Sequence, residues 1–426
     1  MSLKSTATTD QVMRYAAQNY NMTNGLRSIL GRATPENFTD LGRTICDMEW
    51  SRNEWLSMMA NKITRSDLLE RGFENPLGKY RKPPIRAGQS AEQIYINIME
   101  PKVFDPEGAA AENFKRFMPD VRAAYFSNPL TLRYSTTVYQ REMEGAFLYE
   151  DSIYNFMNSI SGKMMASAAK TDYDYTIKLI TEAARKGWFK SVNVPTLNAA
   201  NSNQIITTIR EYSNLLKFYR SDFNISGVTT RSDFSDQVLI MDAKAEATCS
   251  VNSFAMAFNL DYMSFKPHVE MIDNFYDLTG AHFALIDKEF FQIFPMWVPM
   301  MNTTPVGAGG YWNLHMLVSC IYAASPFVNA ILFTEETPAI TSVTVSPNTA
   351  ELEKGMIQNF TAVYSTTGYA SQQTEWTISG NSDAKTKISP NGCLELGADE
   401  AGPTITVTAK SVENPEKTGT ATVTVS

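Results

Sequence analysis

The chain has 426 residues, enough for two or three domains with substantial cores. At 43% hydrophobic and 19% charged it belongs among folded globular proteins, which excludes a chain disordered throughout. A net charge of −8 argues against a dedicated nucleic-acid binder, since such proteins carry a basic excess.

The opening Met1-Ser-Leu-Lys-Ser-Thr-Ala-Thr-Thr-Asp10 is polar and lacks the apolar stretch of a secretion signal. The N-x-S/T triplets at Asn37 and Asn359 are therefore expected to carry no glycan. The first sixty residues read as an arm with short helices, because Trp50 and Trp55 have no obvious local partners. From about Leu68 to Asn128 the chain is proline-rich (Pro76, Pro83, Pro84, Pro101, Pro106, Pro119) and poor in regular apolar stripes. A connection of that length is unusual inside a compact domain. It predicts an extended arm or hairpin whose buried side belongs to another molecule. Within it, Lys79, Tyr80, Arg81, Lys82 and Arg86 form a basic cluster, and Gln93-Ile-Tyr-Ile-Asn-Ile98 alternates. The cluster could bind nucleic acid with Tyr80 stacking, or be a solvated loop. The proline-rich context favours a third reading, a positive hairpin laid on the acidic surface of a neighbouring subunit.

Ile153, Phe156, Met157, Ile160 and Met164 recur on one helical face, with Asp151 and Ser152 suited to cap it. A second helix is predicted from Thr171-Asp172, with Tyr173, Ile177, Ile180 and Ala184 on one stripe, closing at Arg185-Lys186-Gly187. Together they make one long element, bent or interrupted near Lys170. A third helix carries Ile205, Ile209, Tyr212, Leu216 and Tyr219. Three apolar strands follow, each closed by an aspartate: Val238–Asp242, Val269–Asp273 and Phe283–Asp287. With the helical sequence between them they predict an α+β or α/β core with a central sheet.

No charged residue lies between Glu289 and Glu335, and Met316 to Phe333 is largely apolar. A membrane span has that length, but Ser319, Ser325, Pro326 and Asn329 would break it, so buried strand and subunit contact is the preferred reading. At Glu335-Glu336-Thr337-Pro338 the composition changes abruptly. Short alternating runs rich in Thr and Val continue to Thr420-Ala-Thr-Val-Thr-Val425, punctuated by Pro347-Asn348, Gly355, Asn391-Gly392 and Gly402-Pro403. This predicts a small β-sandwich with Trp376 as its core anchor.

Chemistry is sparse. Cys46, Cys249, Cys320 and Cys393 are scattered, without CxxC spacing, and read as buried thiols in a reducing compartment. His268, His282 and His315 form no pair at ligand spacing, so neither a metal site nor a cofactor is expected. Asp242, Asp273 and Asp287 are the best enzyme signal, as nucleophiles or metal ligands at the ends of parallel strands. The plainer reading, that each caps the element after its strand, is preferred. No GxxxxGK[ST] or GxSxG motif is present, and Gly307-Ala-Gly-Gly310 lacks the third glycine of a dinucleotide fingerprint. The triplet Arg-Ser-Asp at Arg65, Arg220 and Arg231 reads as helix-start chemistry.

Several phrases, in order along the chain, resemble the phi29-type phage major capsid proteins. Asn75-Pro-Leu-Gly-Lys-Tyr-Arg-Lys with Ala91-Glu-Gln-Ile-Tyr-Ile-Asn-Ile98 is similar to their E-loop region. Asp172-Tyr-Asp-Tyr-Thr-Ile-Lys-Leu-Ile180 through Lys186-Gly-Trp-Phe189 resembles the tail of their spine helix. Ser253-Phe-Ala-Met-Ala-Phe-Asn259, Phe283-Ala-Leu-Ile-Asp-Lys288 and Pro326-Phe-Val-Asn-Ala-Ile-Leu-Phe333 continue the match. The segment from Val343-Thr-Val-Ser-Pro-Asn348 to the end looks like a bacterial Ig-like group 2 domain, which that family appends to its shell protein.

The resemblance implies an α+β, HK97-like phage capsid fold followed by an all-β Ig-like sandwich. On that frame residues 1–60 would form an N-terminal arm, 61–130 the E-loop region, and 131–190 a peripheral (P) domain with the spine helix. Residues 191–310 would form an axial (A) domain, 311–337 the return of the P domain, and 338–426 the Ig-like domain. The implied function is a major capsid protein that self-assembles into the icosahedral or prolate head of a short-tailed dsDNA phage, without catalysis. Lys79, Tyr80, Arg81, Lys82 and Arg86 would make inter-subunit contacts. The implied partners are sister copies in hexamers and pentamers, a separate scaffolding protein and a portal protein. Enclosed dsDNA would be held without sequence-specific binding, and no membrane is involved. The Ig-like domain carries nine acids against five lysines and is expected to face outward, toward a host surface or head fibres, with assembly largely intact without it. The protein would reside in the virion capsid and be assembled in the host cytoplasm. Two rivals differ in kind: a cell-surface or host-binding adhesin with an Ig-like module, and an aspartate-dependent hydrolase.

Overall fold

The structure is a computed structural model that describes residues 9–19, 22–55, 75–86, 88–99, 101, 119–146, 152–249, 253, 268–296, 300–306 and 310–426. The side chains of Ile153, Phe156 and Met157, most of Ser253–Asn259 and the glycine run at 307–309 lie outside the described residues. The chain divides into two compact units. The first comprises Met1–Gln89, Ser127–Tyr175 and Phe294–Ile321; the second comprises Ser90–Phe126, Thr176–Ile293 and Tyr322–Ser426.

In chain order the helices are α1 (Thr9–Asn19), α2 (Asn24–Gly31), α3 (Phe38–Asp47), α4 (Gln140–Ala146), α5 (Ser152–Arg185), α6 (Ser202–Leu215) and α7 (Ala243–Thr248). The strands before the composition break are β1 (Ala91–Ile96), β2 (Val121–Phe126), β3 (Leu130–Tyr139), β4 (Lys190–Asn193), β5 (Gln237–Asp242) and β6 (Val269–Ile272). They continue as β7 (Ala281–Asp287), β8 (Phe291–Pro295), β9 (Met300–Val306), β10 (Tyr311–Ala324) and β11 (Ala330–Thr334).

The first unit corrects the reading of an N-terminal arm. α1 buries Val12, Met13 and Ala16, α2 buries Leu26 and Leu30, and α3 buries Ile45 and Cys46, all in one core with Val138, Met143, Met164, Trp312 and Met316. Trp55 is fully buried in that core, whereas Trp50 is exposed and lies against Gly25. Their partners are distant in sequence, which is why the local pattern showed none. The Trp312 indole N–H donates to Asn53 Oδ1 at 2.7 Å, and the Arg52 guanidinium lies 4.7 Å from the Trp312 ring centre. β10 runs antiparallel to both β3 and β9.

The long element is one uninterrupted helix, α5, continuous through Lys170. Thr171 and Ser167 turn their hydroxyls back onto the carbonyls of Ser167 and Lys163, so Thr171 does not cap a new helix. Lys170 and Asp174 pair at i,i+4 across the expected break. The C-terminus closes as expected on Gly187 at φ +65°, with Gly187 N–H bonded to Ala184 and Trp188 N–H to Ala183.

The second unit is built on a five-stranded sheet of order β4-β11-β7-β5-β6, with α6 packed through Ile205, Ile206 and Ile209. β11 is buried at every position, between parallel β4 and antiparallel β7. Within 311–337, β10 pairs with β3 and β9, whereas Ala330–Thr334 pairs with β4 and β7. The crossover back to the first unit comes at Phe294, and Ala330–Thr334 completes the second unit's sheet. An all-apolar run suits a central strand covered on both faces. Among the described residues no helix is long and apolar enough to cross a membrane.

After Thr337 the chain is all strand: β12 (Ala339–Ser346), β13 (Thr349–Leu352), β14 (Ile357–Asn359), β15 (Thr361–Thr367), β16 (Thr374–Ser379), β17 (Lys387–Ile388), β18 (Cys393–Glu395), β19 (Thr404–Ser411) and β20 (Thr418–Val425). β12 pairs with β15, and β13-β20-β19-β16 form the facing sheet. Alternation places Val343, Val345, Phe360, Leu394, Ile405, Val407, Ala421 and Val423 in one core. Trp376 is partly buried and packs against that core. It sits on β16, the edge strand, with a sheet neighbour on one side only; the central large side chain is Phe360.

Candidate assembly surface

β1 and β2 pair antiparallel as a two-stranded hairpin, in register from Ala91↔Phe126 to Ile96↔Val121. Side chains alternate across a strand, so the two faces of the ribbon differ in fate. Ala91, Gln93, Tyr95, Arg122, Ala124 and Phe126 face inward onto the second unit. The Tyr95 hydroxyl donates to the Thr229 carbonyl at 2.7 Å, and its ring stacks on Phe327 at 6.0 Å. Thr229 N–H donates to Asn97 Oδ1 at 3.1 Å, and the Arg122 guanidinium donates to the Ser226 carbonyl. Arg122 also pairs with Asp120, which holds the Asp120 carboxyl below its usual range.

The other face carries Glu92, Ile94, Ile96, Val121, Ala123 and Tyr125. Ile94 and Ile96 are each 58% exposed and Tyr125 68%, and Ile98 and Met99 continue the apolar run beyond β1. Tyr125 is bonded to its cross-strand partner Glu92, whose carboxylate pushes the phenol up. A contiguous apolar face on a two-stranded ribbon is the kind of surface that monomeric proteins avoid.

The basic cluster does not lie in this hairpin. Lys79 and Tyr80 end a 3-10 turn (Pro76–Tyr80) of the first unit, and Arg81 to Arg86 run on as extended chain. The turn is set by Asn75, whose Oδ1 accepts from Leu77 N–H at 2.9 Å, and the extended part by Ile85 N–H donating to the Pro295 carbonyl at 2.9 Å. Arg81 pairs with Asp172 of α5 at 2.5 Å within the same chain, and Asn75 Nδ2 donates to the same carboxylate. Lys79 lies 5.3 Å from the Tyr80 ring centre, and Lys79 and Arg86 are exposed. The cluster is thus a shared surface segment from which Arg81 is drawn into its own unit.

The three strand-end aspartates do not all converge: Asp242 pairs with Ile272, so Asp242 and Asp273 share one end of the sheet and Asp287 does not. β5 and β6 are parallel, but β7 is antiparallel to β5, so Asp287 pairs across from Gln237 at the opposite end from Asp242. Asp242 caps α7 through Ala245 N–H at 2.6 Å and meets His282 Nδ1 at 2.6 Å. Asp287 caps the next turn through Glu289 N–H at 2.9 Å and accepts from Ser232 at 2.6 Å. Burial pushes the Asp287 carboxyl up, with the Ser232 bond opposing. Asp273 accepts from Asn274 N–H.

Contacts missed from the sequence join the C-terminal sandwich to the rest of the second unit. Gln372 N–H donates to the Gly187 carbonyl at 2.9 Å, and Ser191 Oγ donates to the Tyr369 carbonyl at 2.5 Å. Thr279 N–H donates to the Tyr369 hydroxyl at 2.8 Å, and Lys190 pairs with Glu413. Gln373 Nε2 donates to the Ser221 carbonyl at 2.9 Å. Gly368 and Tyr369, at φ +59° and +57°, mark the specialised loop.

The model of the Phi29-like phage major capsid protein family matches residues 13–334. The major capsid protein of Bacillus phage B103 is 29% identical over 384 residues, covering 89% of this chain and 85% of that one. That of Bacillus phage PZA is 29% identical over 396 residues, covering 90% and 88%. Among solved structures, a chain from the structure of head fiber and inner core protein gp22 of native bacteriophage P68 aligns with a TM-score of 0.51 at 12% identity, over 64% of this chain and 87% of that one. The fold is the HK97-like phage capsid fold with an added β-sandwich. With its exposed ribbon and its long helix, the chain belongs to the Phi29-like phage major capsid protein family and builds the head shell of a bacteriophage.

Proposed function

We propose that copies of this chain close the head by laying the outer face of the β1–β2 hairpin on a sister subunit. The observation that carries this reading is the row Ile94, Ile96, Val121 and Tyr125, exposed on a ribbon whose opposite face is already bonded inward. Covering a large apolar side chain gains about 1.5–3 kcal/mol, so a few such residues per contact, repeated around a shell, suffice for cooperative closure. Lys79, Tyr80, Lys82 and Arg86 add a polar contact to an acidic neighbour, which selects register more than strength. The role is mechanical, and the strand-end aspartates act as caps. The head belongs to a short-tailed phage. A separate scaffolding protein directs assembly in the host cytoplasm, a portal protein occupies one vertex, and dsDNA is enclosed without sequence reading. The C-terminal sandwich is Ig-like and faces outward, toward host surface or head fibres.

The test is Ile94→Glu with Ile96→Lys, expressed with the phage's own scaffold. Folded subunits that fail to close into shells under electron microscopy are expected; normal heads would sink the reading.

A further inference from the structure

The loop over residues 220–230 of the second unit is gripped from two directions. On one side stands the hairpin, through Tyr95 to the Thr229 carbonyl, Asn97 to Thr229 N–H and Arg122 to the Ser226 carbonyl. On the other stands the C-terminal sandwich: buried Gln373 donates to the Ser221 carbonyl, and its amide nitrogen lies 2.8 Å from where a Cβ on Gly227 would stand. The loop between these grips is stiff. Arg220 and Thr230 exchange backbone bonds at 3.0 Å, and the Asn224 side chain closes on Val228 with both its donor and its acceptor, at 2.7 and 3.0 Å. Phe223 accepts from Ala330 N–H at 2.9 Å, tying the loop to the central strand β11.

A two-stranded hairpin is marginal in water without a packed face. Its posture therefore depends on what its inner face holds, which includes this loop and Phe327 through Tyr95, beside the end of α5 near Ala124 and Phe126. We infer that the C-terminal sandwich acts within its own subunit as a brace, setting the posture of the β1–β2 hairpin through the 220–230 loop. The coupling is a property of the single subunit. Only its consequence for shell closure rests on the reading of the hairpin as an assembly surface.

Hydrogen exchange read by mass spectrometry on the unassembled full chain tests this. Gln373→Ala with Glu413→Lys removes two sandwich contacts without touching the sandwich core. Exchange over 91–99 and 119–126 is expected to rise about fivefold or more, while β19 and β20 stay protected. Because coupling is reciprocal, Tyr95→Phe with Arg122→Gln is expected to speed exchange at Thr279 and Gln372, the amides that hold the sandwich. A freed Gln372 amide with an unchanged hairpin would overturn the brace. If the first variant leaves Gln372 protected, the second decides, and no change there also overturns it. A loosened hairpin that still closes into normal shells would uphold the brace and remove the hairpin reading instead.

Discussion

Arg81 and Asp172, far apart in the chain, form a 2.5 Å ion pair that fastens the basic segment to the long helix α5. The Asp172 side chain is 6% exposed and the Arg81 side chain 41%, so the carboxylate is buried while the guanidinium is half in water. Asp172→Ala strips both Arg81 and Asn75 of their acceptor. A loss of about 1–3 kcal/mol is expected, at the lower end if water rescues Arg81. Urea unfolding of the unassembled subunit measures it.

The same pair separates two roles within the basic cluster. Lys79→Glu with Lys82→Glu and Arg86→Glu is expected to leave the subunit folded and yet block shell closure. Arg81→Glu should cost stability as well, by placing a second carboxylate beside Asp172. Sedimentation of the soluble subunit, set beside electron microscopy of the assembly reaction, distinguishes these outcomes.

Glu400 is fully buried in the sandwich and accepts from Ser382 N–H at 2.7 Å, Ser382 Oγ at 2.6 Å, Thr386 Oγ1 at 2.5 Å and Gly402 N–H at 3.0 Å. These bonds hold its carboxyl far below the usual range. A group depressed by folding contributes stability above its unfolded pKa, and that contribution is lost as pH falls toward the folded value. The sandwich should therefore weaken as pH drops below about 4.3, the ordinary glutamate value. Glu400→Gln should flatten that acid limb, as read from melting temperature against pH.

Burial pushes the Cys46 thiol up to about 12 and that of Cys249 to about 11, with desolvation the main cause in both. Reaction needs the thiolate and access to it. Iodoacetamide at pH 8 should modify half-buried Cys393 first and leave Cys46 and Cys249 intact until unfolding. Peptide mass mapping before and after denaturant gives the order.

Local periodicity carried much of the fold. The α5 stripe, the apolar strands ending in Asp242 and Asp287, the alternation at Gln93–Ile98 and the sandwich after Thr337 were all legible, because helix and strand periods are written in neighbouring residues. The buried side of Gln93–Ile98 was expected to belong to another molecule, whereas Tyr95 bonds it to Thr229 and stacks it on Phe327 of its own chain. Pairing was not legible. Trp55 finds its core through residues as distant as Trp312, β11 joins β4 and β7, and Arg81 meets Asp172 across the fold.

By itself the sequence determined which segments are helix, which are strand, and that the chain carries surface it cannot bury alone. Only the tertiary structure decided which face of the hairpin stays open, that the first sixty residues include helices packed into a core, and that the sandwich is bonded to the unit it follows. The reason is physical: a side chain's period depends on its neighbours in sequence, but its burial and its hydrogen-bond partner depend on whatever distant chain the fold brings against it.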